Sequence, residues 1–303
     1  MTQNAFFSPT RISIIAGHTF TQLMRMKVFY FLVIFAIAML ALSFFEMPWS
    51  RSTADTAEQE LITLKSAAMG GMSLFSMLFA ITSTALLIPK DIEDRTLYTI
   101  LSKPVPRLDY LIGKLIGVII LVALSLIAMD ALLSLILYTR TESLVATETL
   151  KGEAQNWPQG YMDARLDDIR QQGVTWGLQA GIGAIFFKGC IIATIALLIS
   201  TVSSSTLFTI ITAVIVYFMG HFTADARSYW LHSQDASASS TALFISQAAS
   251  LILPDFQIFN IVDATIKGEK VSFSIFSRIG LLTLFYVGIY TVLTWFTFRK
   301  KEF

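Results

Sequence analysis

The sequence predicts an all-α protein that crosses a membrane several times, and three observations carry the prediction. Hydrophobic residues make up 54% of the 303-residue chain and charged residues only 14%, against about 25% charged in ordinary soluble domains. The apolar residues gather into six runs near the ~20 residues that a helix needs to cross hydrocarbon. The charged residues gather between those runs, with opposite balance on alternate sides. No composition shift or linker divides the chain, so residues 1–303 are read as one membrane domain.

The chain opens with Ser8-Pro9, a helix start with Ser at the N-cap and Pro in the first turn. Ile12, Ile15, Ala16, Thr19, Phe20 and Leu23 then recur at three-and-four spacing, while Arg11, Gln22 and Arg25 fall off the stripe. That pattern predicts an amphipathic helix lying in the membrane interface. Six spans follow: Val28–Phe45, Ala67–Ile88, Leu111–Tyr138, Leu178–Ile199, Thr206–Phe222 and Ile275–Phe298. The first has no small-residue cleavage site after it and is expected to stay in the membrane.

Lys and Arg set the orientation. With the N-terminus inside, the inner segments hold eleven basic and five acidic residues. The outer side, counting Arg278 at the head of the last run, holds ten basic and fifteen acidic. Six spans with both termini inside is the consistent solution. Ser200–Thr206 becomes a tight inner turn between spans four and five. On the outer side, DARLDDIRQQ reads as a solvated helix ended by Gly173. Thr241–Leu253 is too short to span and is stopped by Pro254, so it reads as a re-entrant or interfacial helix before span six. Lys267-Gly268 reads as a turn.

Several chemistries are excluded or unsupported. No G-x-x-x-x-G-K-[ST] motif is present, so the chain is not expected to hydrolyse nucleotide by itself. His18, His221 and His232 lack metal-ligand spacing, and no cofactor or metal site is expected. The lone Cys190 sits in an apolar run and reads as packing. A net charge of +1 gives no sign of nucleic-acid binding.

Two charges fall inside spans. Asp130 and Lys188 both lie about 12–15 Å below the outer boundary if spans three and four end level with each other. They are predicted to form a buried ion pair, since an unpaired charge in lipid costs about 2.5–3.5 kcal/mol on insertion scales. Gly113 and Gly117, four residues apart, predict a close helix approach.

The stretch from Pro89 to Gly117, PKDIEDRTLYTILSKPVPRLDYLIGKLIG, is the longest polar interruption on the inner side, with five basic and four acidic residues. Its cluster Asp91, Glu93, Asp94 and Arg95 precedes Thr96-Leu97, then Leu101-Ser102-Lys103-Pro104-Val105, Arg107 and Gly113-Lys114. This resembles the inner loop of ABC-2 type permeases, the membrane subunits of one class of ATP-binding-cassette transporter. Leu253-Pro254-Asp255-Phe256 through Phe259-Asn260, and the ending FRKKEF, add to the resemblance. Many members carry Gly before the Thr-Leu pair, where Arg95 stands here. The resemblance implies a short coupling helix between spans two and three. Asp91, Glu93, Asp94, Arg95, Thr96, Leu97, Tyr98, Leu101 and Lys103 would receive a separate ATPase subunit, which holds the ATP and Mg. It also implies a second permease subunit, identical or not, and a multi-pass location in a prokaryotic cytoplasmic membrane, surrounded by lipid. Export of an unidentified substrate is the expected activity. A mechanical transmitter acting on an envelope partner is the alternative, and a membrane enzyme is disfavoured by the missing catalytic constellation.

Overall fold

The computed structural model describes residues 8–27, 57–93, 105–203, 205–232 and 254–299, with positions 30, 33, 34, 37 and 38 between the first two stretches. Among the described residues the regular structure is helical, with no strand. The elements are α1 (Pro9–Met24), α2 (Ala57–Glu93), α3 (Arg107–Ala154), α4 (Gln159–Gln171), α5 (Trp176–Val202) and α6 (Thr206–His232). A 3-10 turn (Phe256–Phe259), α7 (Ile261–Ile266) and α8 (Phe273–Arg299) complete the set. Helices α2, α3, α5 and α8 are long and apolar enough to cross a membrane. The apolar part of α6, Thr206–Phe222, is shorter, and most of the expected first span lies outside the described residues.

Helix α5 is the centre. It is apolar around its whole circumference, as a helix surrounded by others must be. Residues from Leu178 to Thr201 are buried on every face, Cys190 among them. Neighbouring side chains give the directions. Met69 and Ser76 of α2 meet Gly181 and Gly189, so α2 runs parallel to α5. Phe276 of α8 meets Gly183, and Phe187 meets Gly280, so α8 does the same. Helices α3 and α6 run the opposite way: Asp130 meets Gln179 while Val122 meets Gly189, and α6 begins four residues after α5 ends, with His221 back at Lys188. The turn expected at Ser200–Thr206 is therefore present, with Ser203 Oγ accepting from Ser205 N.

Helix α3 has 48 residues, about 72 Å at 1.5 Å per residue and more than twice the hydrocarbon thickness. The expected span ends at Tyr138, but the helix runs on to Ala154. It passes Gln179, near the Trp176 end of the bundle, at Asp130. From there it continues for about 36 Å. Helix α4, the expected solvated helix, packs back on this extension, burying Ile169 and seating Met162 beside Gly152. Helix α2 also outruns its apolar run: it continues through Pro89, which lies inside the helix and is buried.

The Trp176 end is closed by the 3-10 turn and α7. Asp255 caps the turn by accepting from Gln257 N at 3.0 Å. Phe256 drops onto Tyr217 and His221 of α6, an approach that Gly220 permits because a Cβ there would lie 2.5 Å from Phe256 Cδ2. The described dip back among the helices is thus 254–266. The expected re-entrant helix Thr241–Leu253 lies outside the described residues. Gly268, at φ +76°, makes the turn that leads into α8.

Candidate functional site

The charged residues that the bundle buries together lie at its Arg107 end. Helix α1 is built on the predicted stripe. Ser8 is extended and Pro9 opens the helix, although the Ser8 side chain makes no cap bond. Ile12, Ala16, Thr19 and Leu23 are buried, but their partner is α3. Arg11 Nε stands 3.2 Å from Asp109 Oδ2. Ile15 meets Gly113 and Thr19 meets Gly117. The pairs advance four residues at a time in the same direction, so α1 runs parallel to the first turns of α3. A Cβ on Gly113 would lie 2.7 Å from Ile15 Cβ, and one on Gly117 would lie 2.9 Å from the Ala16 carbonyl oxygen. Close approach at this crossing depends on both glycines.

On the adjoining face of α3, Tyr110 and Lys114 are four residues apart and reach the end of α2. Lys114 Nζ lies 2.7 Å from Asp91 Oδ2. Tyr110 OH donates to the same oxygen at 2.5 Å. Gln22 of α1 completes the set: its Nε2 donates to Asp91 Oδ1 at 3.4 Å, and its Oε1 accepts from Lys114 at 3.1 Å. Both oxygens of the Asp91 carboxylate therefore accept, from Lys114, Tyr110 and Gln22. That matters because taking both charges out of water is repaid only when the remaining hydrogen-bonding capacity is filled. Asp109 is wholly buried beside Arg11 in the first turn of α3, where the helix dipole favours a carboxylate.

The same end holds α8. Arg107 Nη1 donates to the carbonyls of Phe298 and Arg299, both at 2.9 Å, placing a cation at the negative end of that helix. Tyr110 stacks on Phe298 with ring centroids 5.9 Å apart. Helices α1, α2, α3 and α8 thus meet in one ionic and aromatic block. The polar segment 94–104 joins α2 to α3 at this point in the chain.

The predicted residues fall as follows. Asp91 is 2% exposed, and its carboxylate faces Lys114. Glu93 is the last residue of α2. Asp94, Arg95, Thr96, Leu97, Tyr98, Leu101 and Lys103 lie outside the described residues. Gly113 and Gly117 sit at the α1–α3 crossing.

The expected pair Asp130–Lys188 is not formed. Asp130 accepts from Gln179 Nε2 and Ser134 Oγ, each at 3.1 Å. Lys188 lies nine residues beyond Gln179, about 13 Å along α5, and faces His221 Nε2 at 3.4 Å. The expectation assumed that both spans end level, whereas α3 outruns α5. With the ammonium donating, His221 accepts at Nε2 and donates from Nδ1 to the Tyr217 carbonyl at 3.1 Å.

Sequence reasoning missed Gln22, Tyr110 and the α1-side pair Arg11–Asp109. A usable signal existed. Asp109, Gly113 and Gly117 recur every four residues, and so do Arg11, Ile15 and Thr19, which is the pattern of two facing helix stripes.

A second polar set lies at the Trp176 end. Lys65, 2% exposed, donates to Gln172 Oε1 and to the Thr265 carbonyl. Gln172 Nε2 donates to the Lys267 carbonyl at 3.2 Å and to Glu58 at 3.3 Å. Among the described residues no group of three His, Cys, Asp or Glu side chains is placed to hold a metal ion. No protein-family model matches the chain, and no curated protein matches it.

Proposed function

We propose that this chain is the permease subunit of an ATP-driven transporter of the ABC-2 type. The observation that supports the reading most is the block at the Arg107 end. A partner pressing on segment 94–104 would act on α2 through Glu93 and on α3 through Arg107. The ties Asp91–Lys114–Gln22 and Arg107–Phe298 would pass the displacement to α1 and α8. Rigid helices joined at one end can be moved as a unit between two arrangements. ATP and Mg belong to the separate ATPase subunit, and a second permease subunit completes the membrane part. The substrate is apolar or amphipathic and is exported across a prokaryotic cytoplasmic membrane. Six spans, with Val28–Phe45 and Thr206–Phe222 included, put both termini and segment 94–104 on the ATPase side.

A P-loop protein encoded beside this chain is the partner to test. Co-expressed with it, the wild-type chain should retain the ATPase through purification. Arg95→Asp and Leu97→Asp should each reduce the retained ATPase and ATP-dependent substrate movement in proteoliposomes. Both quantities undiminished in both variants would sink the reading. One observation favours a second reading, transmission of force to an envelope partner: the α3 extension with α4 packed on it runs about 36 Å beyond the Gln179 level. A complex that hydrolyses ATP but moves no member of a broad lipid and drug panel would favour that reading over transport.

A further inference from the structure

Lys188 and His221 touch in a way that only one protonation state permits. Lys188 lies within α5 and is 8% exposed. Among the described residues no carboxylate is in ion-pair contact with it. Its ammonium lies instead 3.4 Å from His221 Nε2. An ammonium has donors only, so Nε2 is the bare nitrogen of a neutral ring. The ring proton is on Nδ1, toward the Tyr217 carbonyl. A second ring proton would go on Nε2, directly against the ammonium. Two like charges at that distance repel strongly where water is scarce.

The same ring seats the segment that closes the Trp176 end. It packs between Tyr217 and the fully buried Phe256, with centroids 4.4 and 5.6 Å away. Gln257 Nε2 donates to the His221 carbonyl at 3.0 Å. The other groups around the pair come from each neighbouring element. Helix α6 itself supplies Tyr217, which a hydrogen bond joins to Ser73 of α2. The nearest charge on α2 is Lys65, eight residues from Ser73 and engaged with Gln172. The 3-10 turn brings Asp255, whose charge reaches His221, and α7 brings Asp263, whose charge reaches Lys188. Both carboxylates are used within the closing segment: Asp255 accepts from Gln257 N at 3.0 Å, and Asp263 from Asn260 Nδ2 at 2.6 Å. An imidazolium driven off Lys188 would draw Asp255 away from its capping bond. We infer that Lys188 and His221 form a proton-operated latch: neutral His221 holds segment 254–266 on the bundle, and protonation at Nε2 releases it. An ordinary histidine changes charge between pH 5 and 8, so acid on the Trp176 side is the signal. The latch is a property of this chain alone and is independent of the transport reading.

Amide exchange tests it. The full chain is reconstituted into phosphatidylcholine nanodiscs, whose headgroups do not titrate in this range, and followed by peptide mass spectrometry at pH 7.5 and 5.0. Each rate is divided by the intrinsic exchange rate at its pH. The held form has no place for a second ring proton, whereas a released imidazole takes one near pH 6.5. The released fraction should therefore rise by up to about thirtyfold between the two conditions. Protection of 254–266 should fall accordingly, while 190–197 in the centre of α5 should keep theirs. Aspartates with ordinary pKa values stay ionised down to pH 5. His221→Gln offers Lys188 an amide oxygen that does not titrate. Lys188→Gln leaves Nε2 a neutral donor. Each should abolish the acid-induced loss of protection. If one variant loses helical content, the other decides. Unchanged protection of 254–266 in the wild type overturns the proposal. So does an equal loss in a folded His221→Gln or Lys188→Gln variant, since another group would then be titrating.

Discussion

The two ends of the bundle bury lysines in opposite ways. At the Arg107 end Lys114 sits directly on a carboxylate, and every atom of that carboxylate is used. At the Trp176 end Lys65 is as deeply buried, but its acceptors are an amide oxygen and a backbone carbonyl. The first arrangement is two full charges that cancel. The second is one charge on two neutral oxygens, with the partly exposed Glu58 carboxylate held at one remove by Gln172. Removal of the cation should therefore hurt the two ends unequally, because only the first leaves a buried carboxylate in direct contact with the vacated site.

The largest effect is expected at Lys114. Lys114→Met leaves the Asp91 carboxylate buried without its cation, which should cost about 3–5 kcal/mol. Thermal unfolding in detergent, followed by circular dichroism, measures it. The double variant Asp91→Asn with Lys114→Met should be the milder of the two, since it removes both charges. If the double variant is worse than Lys114→Met alone, the pair is not what holds this end. Lys65→Met comes next. It leaves two neutral acceptors unfilled and should cost about 1–3 kcal/mol. A loss equal to that of Lys114→Met would erase the contrast between the ends. The smallest effect is a coupling. Asp130 and Lys188 share no partner, so Asp130→Asn and Lys188→Met should add to within about 0.5 kcal/mol. A coupling well above that would restore the ion pair.

The same contrast explains what could be read from the chain. The helices α5 and α8 and the turn at Ser200–Thr206 were legible because apolarity, length and turn residues agree there. The buried stripe of α1 was legible too, but periodicity names a face and not the surface it meets. Lipid and α3 are both apolar, so only the structure distinguishes them. The end of α3 was not legible for another reason. Apolarity stops at Tyr138, yet TRTESLVATETLK contains no Gly or Pro. Nothing in it ends a helix, and Glu, Leu and Ala favour continuing one. A span ends where lipid ends, whereas a helix ends where its backbone is stopped. That difference displaced the register of α3 against α5 and produced the false pair Asp130–Lys188.

Pro89 carries a consequence for amide exchange. A proline inside a helix supplies no N–H, so the Ala85 carbonyl lacks its usual acceptor role toward residue 89. The last turn of α2, which carries Asp91, is joined to the rest of that helix by one backbone bond fewer than any turn before it. The side-chain ties of Asp91 to α1 and α3 add a second hold on this turn. The amides after Pro89 in the last turn of α2 should therefore exchange faster than those before it, and on the proposed motion of the Arg107 end Pro89 is where α2 would bend.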